Sequence, residues 1–243
     1  MLGIIGGSGL DRIAELEIES RLAVTTPYGQ PSAPLLSGRL HGKSLIFLPR
    51  HGETHSIAPH RINYRANLWA LHAQGVRNVV AVCAVGGINP VISTGTLLVP
   101  DQIIDYTSGR ESTFLDGVDK PLMHVDFTLP FSMALRQRLI RAGQVAAHPV
   151  HDGGTYGATQ GPRLETAAEI NRMERDGVDV VGMTGMPEAV LARELQLEYA
   201  MLAVVINAAA GRGDNAAGIS MEAAHAAAEI AMTKVRALLR VLD

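Results

Sequence analysis

Short, nearly unbroken apolar runs recur along the chain, at Leu2–Ile5, Ser44–Leu48, Val79–Cys83, Thr96–Val99, Val178–Met183 and Met201–Ile206. Such brief continuous hydrophobicity predicts strands covered on both faces, since a strand with one wet face would alternate. Between these runs the apolar spacing becomes helical. It predicts helices over Asn63–Gln74, over Phe131–Ala142 with Gly143 as the stop, over Arg163–Arg175 with Gly177 as the stop, and a short one over Pro187–Glu194. A last, long helix runs from about Met221 to Leu242, with Ser220 as its N-cap and Glu222 in its first turn. Strands alternating with helices predict an α/β fold, a mixed and largely parallel sheet flanked by helices. No repeat or linker breaks the chain, so residues 1–243 read as a single domain. Three connecting segments, Thr25–Ser37, Arg50–Arg61 and Asp105–Asp126, are long and rich in Gly, Pro, His and Thr. Long loops on a rigid sheet are where ligands are usually bound.

Composition narrows the partners. The formal net charge is −3 over 243 residues, with no basic stripe or polybasic run, so neither nucleic acid nor a membrane surface is expected. The single cysteine, Cys83, excludes an internal disulfide framework and a cysteine-cluster metal site. The first residues enter a strand pattern directly, without a basic leader. No apolar run approaches the roughly 20 residues of a membrane helix. The expectation is a cytoplasmic protein.

Six motifs carry candidate chemistry, each beside a plainer reading. Gly3-Ile4-Ile5-Gly6-Gly7-Ser8-Gly9 follows the first strand. Its glycines allow backbone amides close to an anion and Ser8 adds a hydroxyl, or it is only a tight turn. It is neither the dinucleotide fingerprint nor a P-loop. Arg50-His51 follows another strand, and an arginine there can grip phosphate through paired hydrogen bonds, or form a surface ion pair. His51, His55 and His60 cluster nearby, but Gly52 and Pro59 argue against a helix presenting two ligands. Cys83-Ala84 ends a strand of small residues, where a buried structural thiol is the plainer reading. Leu164-Glu165 opens a predicted helix, whose positive end stabilises a carboxylate. Met183-Thr184 joins a strand to a helix start, with a hydroxyl for an anion and a thioether for an apolar surface. Asn207 ends a hydrophobic strand and carries both a donor and an acceptor, suited to a heterocycle edge or to a turn.

Together and in order these segments resemble the trimeric purine nucleoside phosphorylase family, in particular its methylthioadenosine phosphorylase branch. The matching stretches are Gly3–Leu10, Thr26-Pro27-Tyr28-Gly29, Arg50-His51-Gly52, Asn63–Asn67, Gly161–Arg163 and Met183–Glu188. The resemblance implies phosphate binding at Ser8, Arg50, His51, Cys83, Ala84 and Thr184, with Cys83 replacing the family's usual hydroxyl. It implies base binding at Leu164, Glu165 and Asn207, with Asn207 catalytic through the purine's nitrogen 7. Met183 would lie against the ribose. Met221, Ala224 and His225 would read the 5′ group, joined by His124 from a neighbouring subunit of a homotrimer. Asn207 with Glu165, and Ala209 two residues on, follow the branch's 6-oxopurine members. The implied reaction is therefore phosphate-dependent cleavage of a 5′-methylthio purine nucleoside, methylthioinosine in preference to methylthioadenosine. Inorganic phosphate is a co-substrate, and no metal or organic cofactor is implied. Three alternatives stand beside this: an ordinary inosine/guanosine phosphorylase, a metal-dependent hydrolase using His51, His55 and His60, and a non-catalytic nucleoside-binding protein.

Overall fold

The computed structural model describes residues 1–10, 13, 15–115 and 121–243. Its strands are β1 (Leu2–Gly6), β2 (Leu16–Leu22), β3 (Leu35–Leu40), β4 (Lys43–Pro49), β5 (Asn78–Gly87), β6 (Leu97–Val99), β7 (Gln102–Asp105), β8 (Val150–Asp152), β9 (Thr155–Ala158), β10 (Val180–Gly182) and β11 (Glu198–Ala208). Its α-helices are α1 (Tyr64–Ala73), α2 (Met133–Val145), α3 (Ala167–Arg175), α4 (Gly185–Glu194) and α5 (Met221–Val241). All the strands join one mixed sheet. Parallel pairs β1–β4, β1–β5, β5–β11, β9–β10, β7–β9 and β6–β8 outnumber antiparallel β2–β3, β3–β4, β5–β10 and β6–β11.

The three central strands explain why the apolar runs are continuous. On β5, Val79, Ala81, Cys83 and Val85 enter one core, shared with α1 and α4 through Leu68, Leu71, Ala189 and Leu191. Val80 and Val82 enter the opposite core, shared with α2 and α5 through Leu135, Leu139, Met232 and Val235. The same division splits β11, with Tyr199, Met201, Ala203 and Val205 on one face and Ala200, Leu202 and Val204 on the other. Successive side chains point to opposite faces, so a strand buried twice must be apolar at every position.

The sheet forks at β5. One edge of β5 pairs with β11 along its length. The other edge pairs first with β1, from Leu2↔Asn78 to Ile5↔Ala81, and then with antiparallel β10 at Gly86 and Gly87. Val82 to Val85 therefore have no strand partner on that edge, and Cys83, Ala84 and Val85 line the gap where β1 ends and β10 begins. Across from them, β11 is bulged between Val205 and Asn207. A bulge re-aims the side chains beside it, and here Ile206 and Asn207 both reach the gap.

Two expected boundaries move. The helix over Phe131–Ala142 does not stop at Gly143. Ser132 caps α2, which continues to Val145, and Gly143 is a buried interior position. A Cβ there would lie 2.5 Å from Val150 Cγ2, so the glycine permits β8 to approach rather than ending the helix. The helix expected from Arg163 begins at Ala167, where Thr166 and Glu169 form a reciprocal capping box. Strands β2, β3, β7, β8 and β9 fall outside the expected runs, β3 beginning inside the segment read as the loop Thr25–Ser37.

Candidate active site

At the fork lies a cavity of about 490 Å³, within the usual range for small-molecule sites. Twelve of the fourteen residues that the resemblance assigns to the site line it: Ser8, Arg50, His51, Cys83, Ala84, Leu164, Glu165, Met183, Thr184, Asn207, Met221 and His225. They come from β1's exit, β4's exit, the open edge of β5, the turn after β9, the β10–α4 junction, the β11 bulge and the start of α5.

One end of the cavity is built around a buried cation. The chain turns back after β1 through a Leu10 N–H to Gly7 carbonyl bond of 2.9 Å, leaving Ser8 at the rim. A Cβ on Gly7 would sit 2.6 Å from the Val82 carbonyl oxygen and 2.8 Å from Arg50 Nη1, so only glycine lets this turn reach the open edge of β5. Arg50 is fully buried. Its Nε and Nη2 donate to the two Glu188 carboxylate oxygens at 2.8 and 2.9 Å, and Nη1 donates to the Val82 carbonyl at 3.0 Å. Glu188 also accepts from the Tyr199 hydroxyl at 2.8 Å. The ion-pair reading of Arg50 is thus realised, but in the interior and in fork geometry. Three of five guanidinium hydrogens are engaged, and one on each Nη remains. Burial presses the Arg50 pKa down, Glu188 outweighs it, and the net shift is upward, so Arg50 is a fixed cation.

Cys83 faces this end. Burial pushes its thiol up to about 12 against the pull of Arg50, which makes it a neutral wall and not a nucleophile. Thr184 stands at the N-cap of α4 without bonding its hydroxyl to the helix. The Tyr156 hydroxyl accepts the Thr184 and Gly185 backbone N–H groups instead, at 3.2 and 3.4 Å. The Thr184 hydroxyl is therefore left for the cavity. His51 Nδ1 lies 2.8 Å from the Ile57 carbonyl, which can only accept, so that nitrogen carries the proton. A neutral His51 then presents Nε2 as an acceptor, and donation from its ring to an anion requires the imidazolium. His55, absent from the expected anion set, packs on His51 with ring centroids 4.5 Å apart and planes tilted by 31°, and places Nε2 3.5 Å from Ser8 Oγ. Among the described residues no three His, Cys, Asp or Glu side chains gather as a metal set.

The middle of the cavity has the chemistry of a heterocycle edge. Asn207 Nδ2 donates to the Ala208 carbonyl at 2.6 Å, and Asn215 Nδ2 donates to the same oxygen. That acceptor identifies the nitrogen end of the Asn207 amide and leaves its second hydrogen for a ligand. Glu165 stands directly before the Thr166 N-cap of α3, outside the helix's first turn. Its Oε1 is held by the Thr159 hydroxyl at 2.6 Å. Leu164 and Pro162 line the wall beside it.

The far end is open. Met221, His225, Ala228 and Glu229 present one face of α5 to the cavity, and Met221 is 50% exposed. Ala224 corrects the expectation for this end: it is 2% exposed and turned into the protein, outside the cavity lining. His124 is exposed and does not line the cavity of its own chain.

Sequence reasoning passed over Glu188, Tyr199 and Glu229, and named His55 only as a candidate metal ligand. Only Pro187-Glu188 carried a signal, as part of a recognised stretch without a role.

The description "Phosphorylase superfamily" matches residues 1–242. The chain is 51% identical over 241 residues, 99% of its length and 97% of the relative's, to "Probable S-methyl-5'-thioinosine phosphorylase" of Pseudomonas syringae pv. tomato. It is 48% identical over 216 residues to "6-oxopurine nucleoside phosphorylase" of Pyrococcus furiosus, covering 86% of this chain and 80% of that one. Among solved structures it is similar to methylthioadenosine phosphorylase from Schistosoma mansoni in complex with adenine, with a TM-score of 0.93, 32% identity, and coverage of 99% of this chain and 90% of that one. With the forked sheet, the cavity at its fork and a match along almost its whole length, the chain belongs to the phosphorylase superfamily.

Proposed function

We propose that this chain cleaves a 5′-methylthio purine nucleoside with inorganic phosphate, giving the free base and 5-methylthioribose 1-phosphate, and that methylthioinosine is preferred over methylthioadenosine. The observation that carries the reading is one cavity that holds a cationic, hydroxyl-bearing end beside a middle framed by Asn207 and Glu165. The names of the relatives above support it.

The chemistry asks little of the protein in covalent terms. The C–N glycosidic bond lengthens with positive charge on the ribose, phosphate attacks the anomeric carbon from the opposite face, and electrons leave with the purine. Arg50, Ser8 and Thr184 hold the attacking anion, with His51 and the small Ala84 shaping its seat. The free Asn207 hydrogen meets the purine edge, where charge builds as the bond breaks. A 6-oxopurine presents a protonated nitrogen 1, which the Glu165 carboxylate accepts, whereas adenine presents a lone pair there. Met183 lies against the ribose, and Met221 with His225 face the 5′ group. Phosphate is a co-substrate and no metal or organic cofactor takes part. The exposed His124 completes a neighbour's 5′ end in a cytoplasmic homotrimer. Among the described residues no helix is long and apolar enough to cross a membrane.

The deciding experiment is a panel of methylthioinosine, methylthioadenosine, inosine and adenosine, each with and without phosphate, followed by release of the free base. Cleavage that requires phosphate and is fastest on methylthioinosine is the expected result. Cleavage without phosphate refutes the reading, and equal rates on methylthioinosine and inosine return it to an ordinary inosine/guanosine phosphorylase.

A further inference from the structure

Behind the cavity wall, and outside the cavity itself, Arg110 is a half-buried cation with no carboxylate within ion-pair range among the described residues. Its guanidinium is directed at backbone oxygens instead. Nη2 donates to the carbonyls of Thr159 at 3.1 Å and Gln160 at 2.8 Å, where the chain leaves β9. Nη1 donates to the carbonyls of Met183 at 2.8 Å and Met186 at 2.5 Å, on either side of Thr184. Nε reaches the Gln160 side chain at 3.2 Å. Nη1 also lies 3.2 Å from the Tyr64 hydroxyl, which itself donates to the carbonyl of cavity-lining Pro59.

Each segment held this way carries a cavity group. Thr159 holds Glu165 through its hydroxyl. Met183 and Thr184 are themselves wall residues. We propose that Arg110 is a positioning residue that fixes the spacing between the base-facing wall at Thr159–Glu165 and the ribose- and phosphate-facing wall at Met183–Thr184. The proposal rests on the nucleoside reading given above. A planar fork with donors on both sides can hold two peptide segments at one separation, which a flexible ammonium cannot. The segment that carries Arg110 is itself fastened at the far end of α4, where Thr113 Oγ1 and the Phe114 N–H donate to Glu194 at 2.7 and 2.6 Å. Arg110 and Glu194 thus tie this segment to both ends of α4, and the spacing it sets is transmitted to the helix that follows Thr184.

The test is Arg110→Ala and Arg110→Lys in the full chain, assayed on methylthioinosine and methylthioadenosine at varied phosphate, with the thermal midpoint as a folding check. The expected result for Arg110→Ala is a rise of about tenfold to a hundredfold in KM for methylthioinosine and a comparable fall in its advantage over methylthioadenosine, with a smaller rise in KM for phosphate. Added methylguanidinium should restore part of the lost selectivity to Arg110→Ala, and Arg110→Lys should restore little. A variant that loses kcat equally on both nucleosides with its selectivity and KM intact shows a merely structural residue and overturns the proposal, as do unchanged kinetics. If Arg110→Ala does not fold, the selectivity of Arg110→Lys decides by the same criteria. If the wild-type chain cleaves neither nucleoside, the reaction assigned above fails, and the ratio of hypoxanthine to adenine dissociation constants in wild type and variant still tests the spacing.

Discussion

The two ends of the cavity are built on opposite plans. The cationic end rests on strand exits and on a buried network in which the Glu188 carboxylate joins Arg50 to the Tyr199 hydroxyl. The open end rests on the first turns of one helix, where Met221 is half exposed and the cavity-lining His225 and Glu229 are exposed. At the first end the cation is fixed by its protein partners before any ligand arrives. At the second, the chain by itself supplies only one wall. The difference teaches where preorganisation is expected: an attacking anion must be held in line, whereas a 5′ substituent need only be accommodated.

The largest effect should come from breaking the buried network. Glu188→Ala leaves Arg50 charged, buried and without its carboxylate, which costs about 3–5 kcal/mol of stability. Arg50→Ala strands Glu188 in the same way, so its loss of phosphate affinity cannot be separated from its loss of folding. Thr184→Ala and Ser8→Ala make the cleaner contrast at the same end. Neither hydroxyl supports a helix cap, and each should raise KM for phosphate by about tenfold to a hundredfold, the worth of one hydrogen bond to a charged group. Denaturant unfolding alongside phosphate titration checks both. If Glu188→Ala is as stable as wild type, the cationic end is not the preorganised half.

The middle of the cavity should give the next largest effect. Glu165→Gln replaces an acceptor-only carboxylate with an amide that can also donate to adenine's nitrogen 1. The preference for methylthioinosine over methylthioadenosine should fall by about tenfold to a hundredfold, the cost of one mismatched buried polar group. The kcat/KM ratio on the two nucleosides reads it directly. An unchanged ratio means that the Thr159 bond turns Glu165 away from the base.

How far this contrast could be read from sequence depends on the kind of interaction. Strands β1, β5 and β11 were legible because burial on both faces leaves an unbroken apolar run. Strand β2, Leu-Glu-Ile-Glu-Ser-Arg-Leu, sits at the sheet edge with most side chains exposed, and β7, β8 and β9 are too short to show a period. The cavity residues were legible as polar or small residues at strand ends, given their order along the chain. The partner of Arg50 was not, because Glu188 lies 138 positions away and only the fold brings them together. Ala224 was misplaced because helix phase alone does not say which neighbour takes which face. Met221 and His225, four apart, share the cavity face, while Ala224 turns to the core.

The smallest effect should come from the 5′ end. Met221 keeps half its surface in solvent, so the apolar area it can give to a methylthio group is a fraction of what a buried methionine gives. Full burial of such a side chain is worth about 1.5–3 kcal/mol, and half of that bounds the loss on Met221→Ala at about tenfold. The loss should fall on methylthioinosine alone, since inosine has no thioether to cover. His225→Ala should act in the opposite sense, weakening inosine more than methylthioinosine, because an imidazole serves a hydroxyl better than a thioether. The two variants, compared by kcat/KM on both nucleosides, separate an apolar pocket from a polar one. A loss at Met221 well beyond tenfold breaks the comparison, for it means that the open end is closed in the working enzyme by something this chain does not supply alone. In that case His124→Ala should reproduce the loss, and a mixture of His124→Ala and Met221→Ala chains should regain activity only if subunits exchange walls.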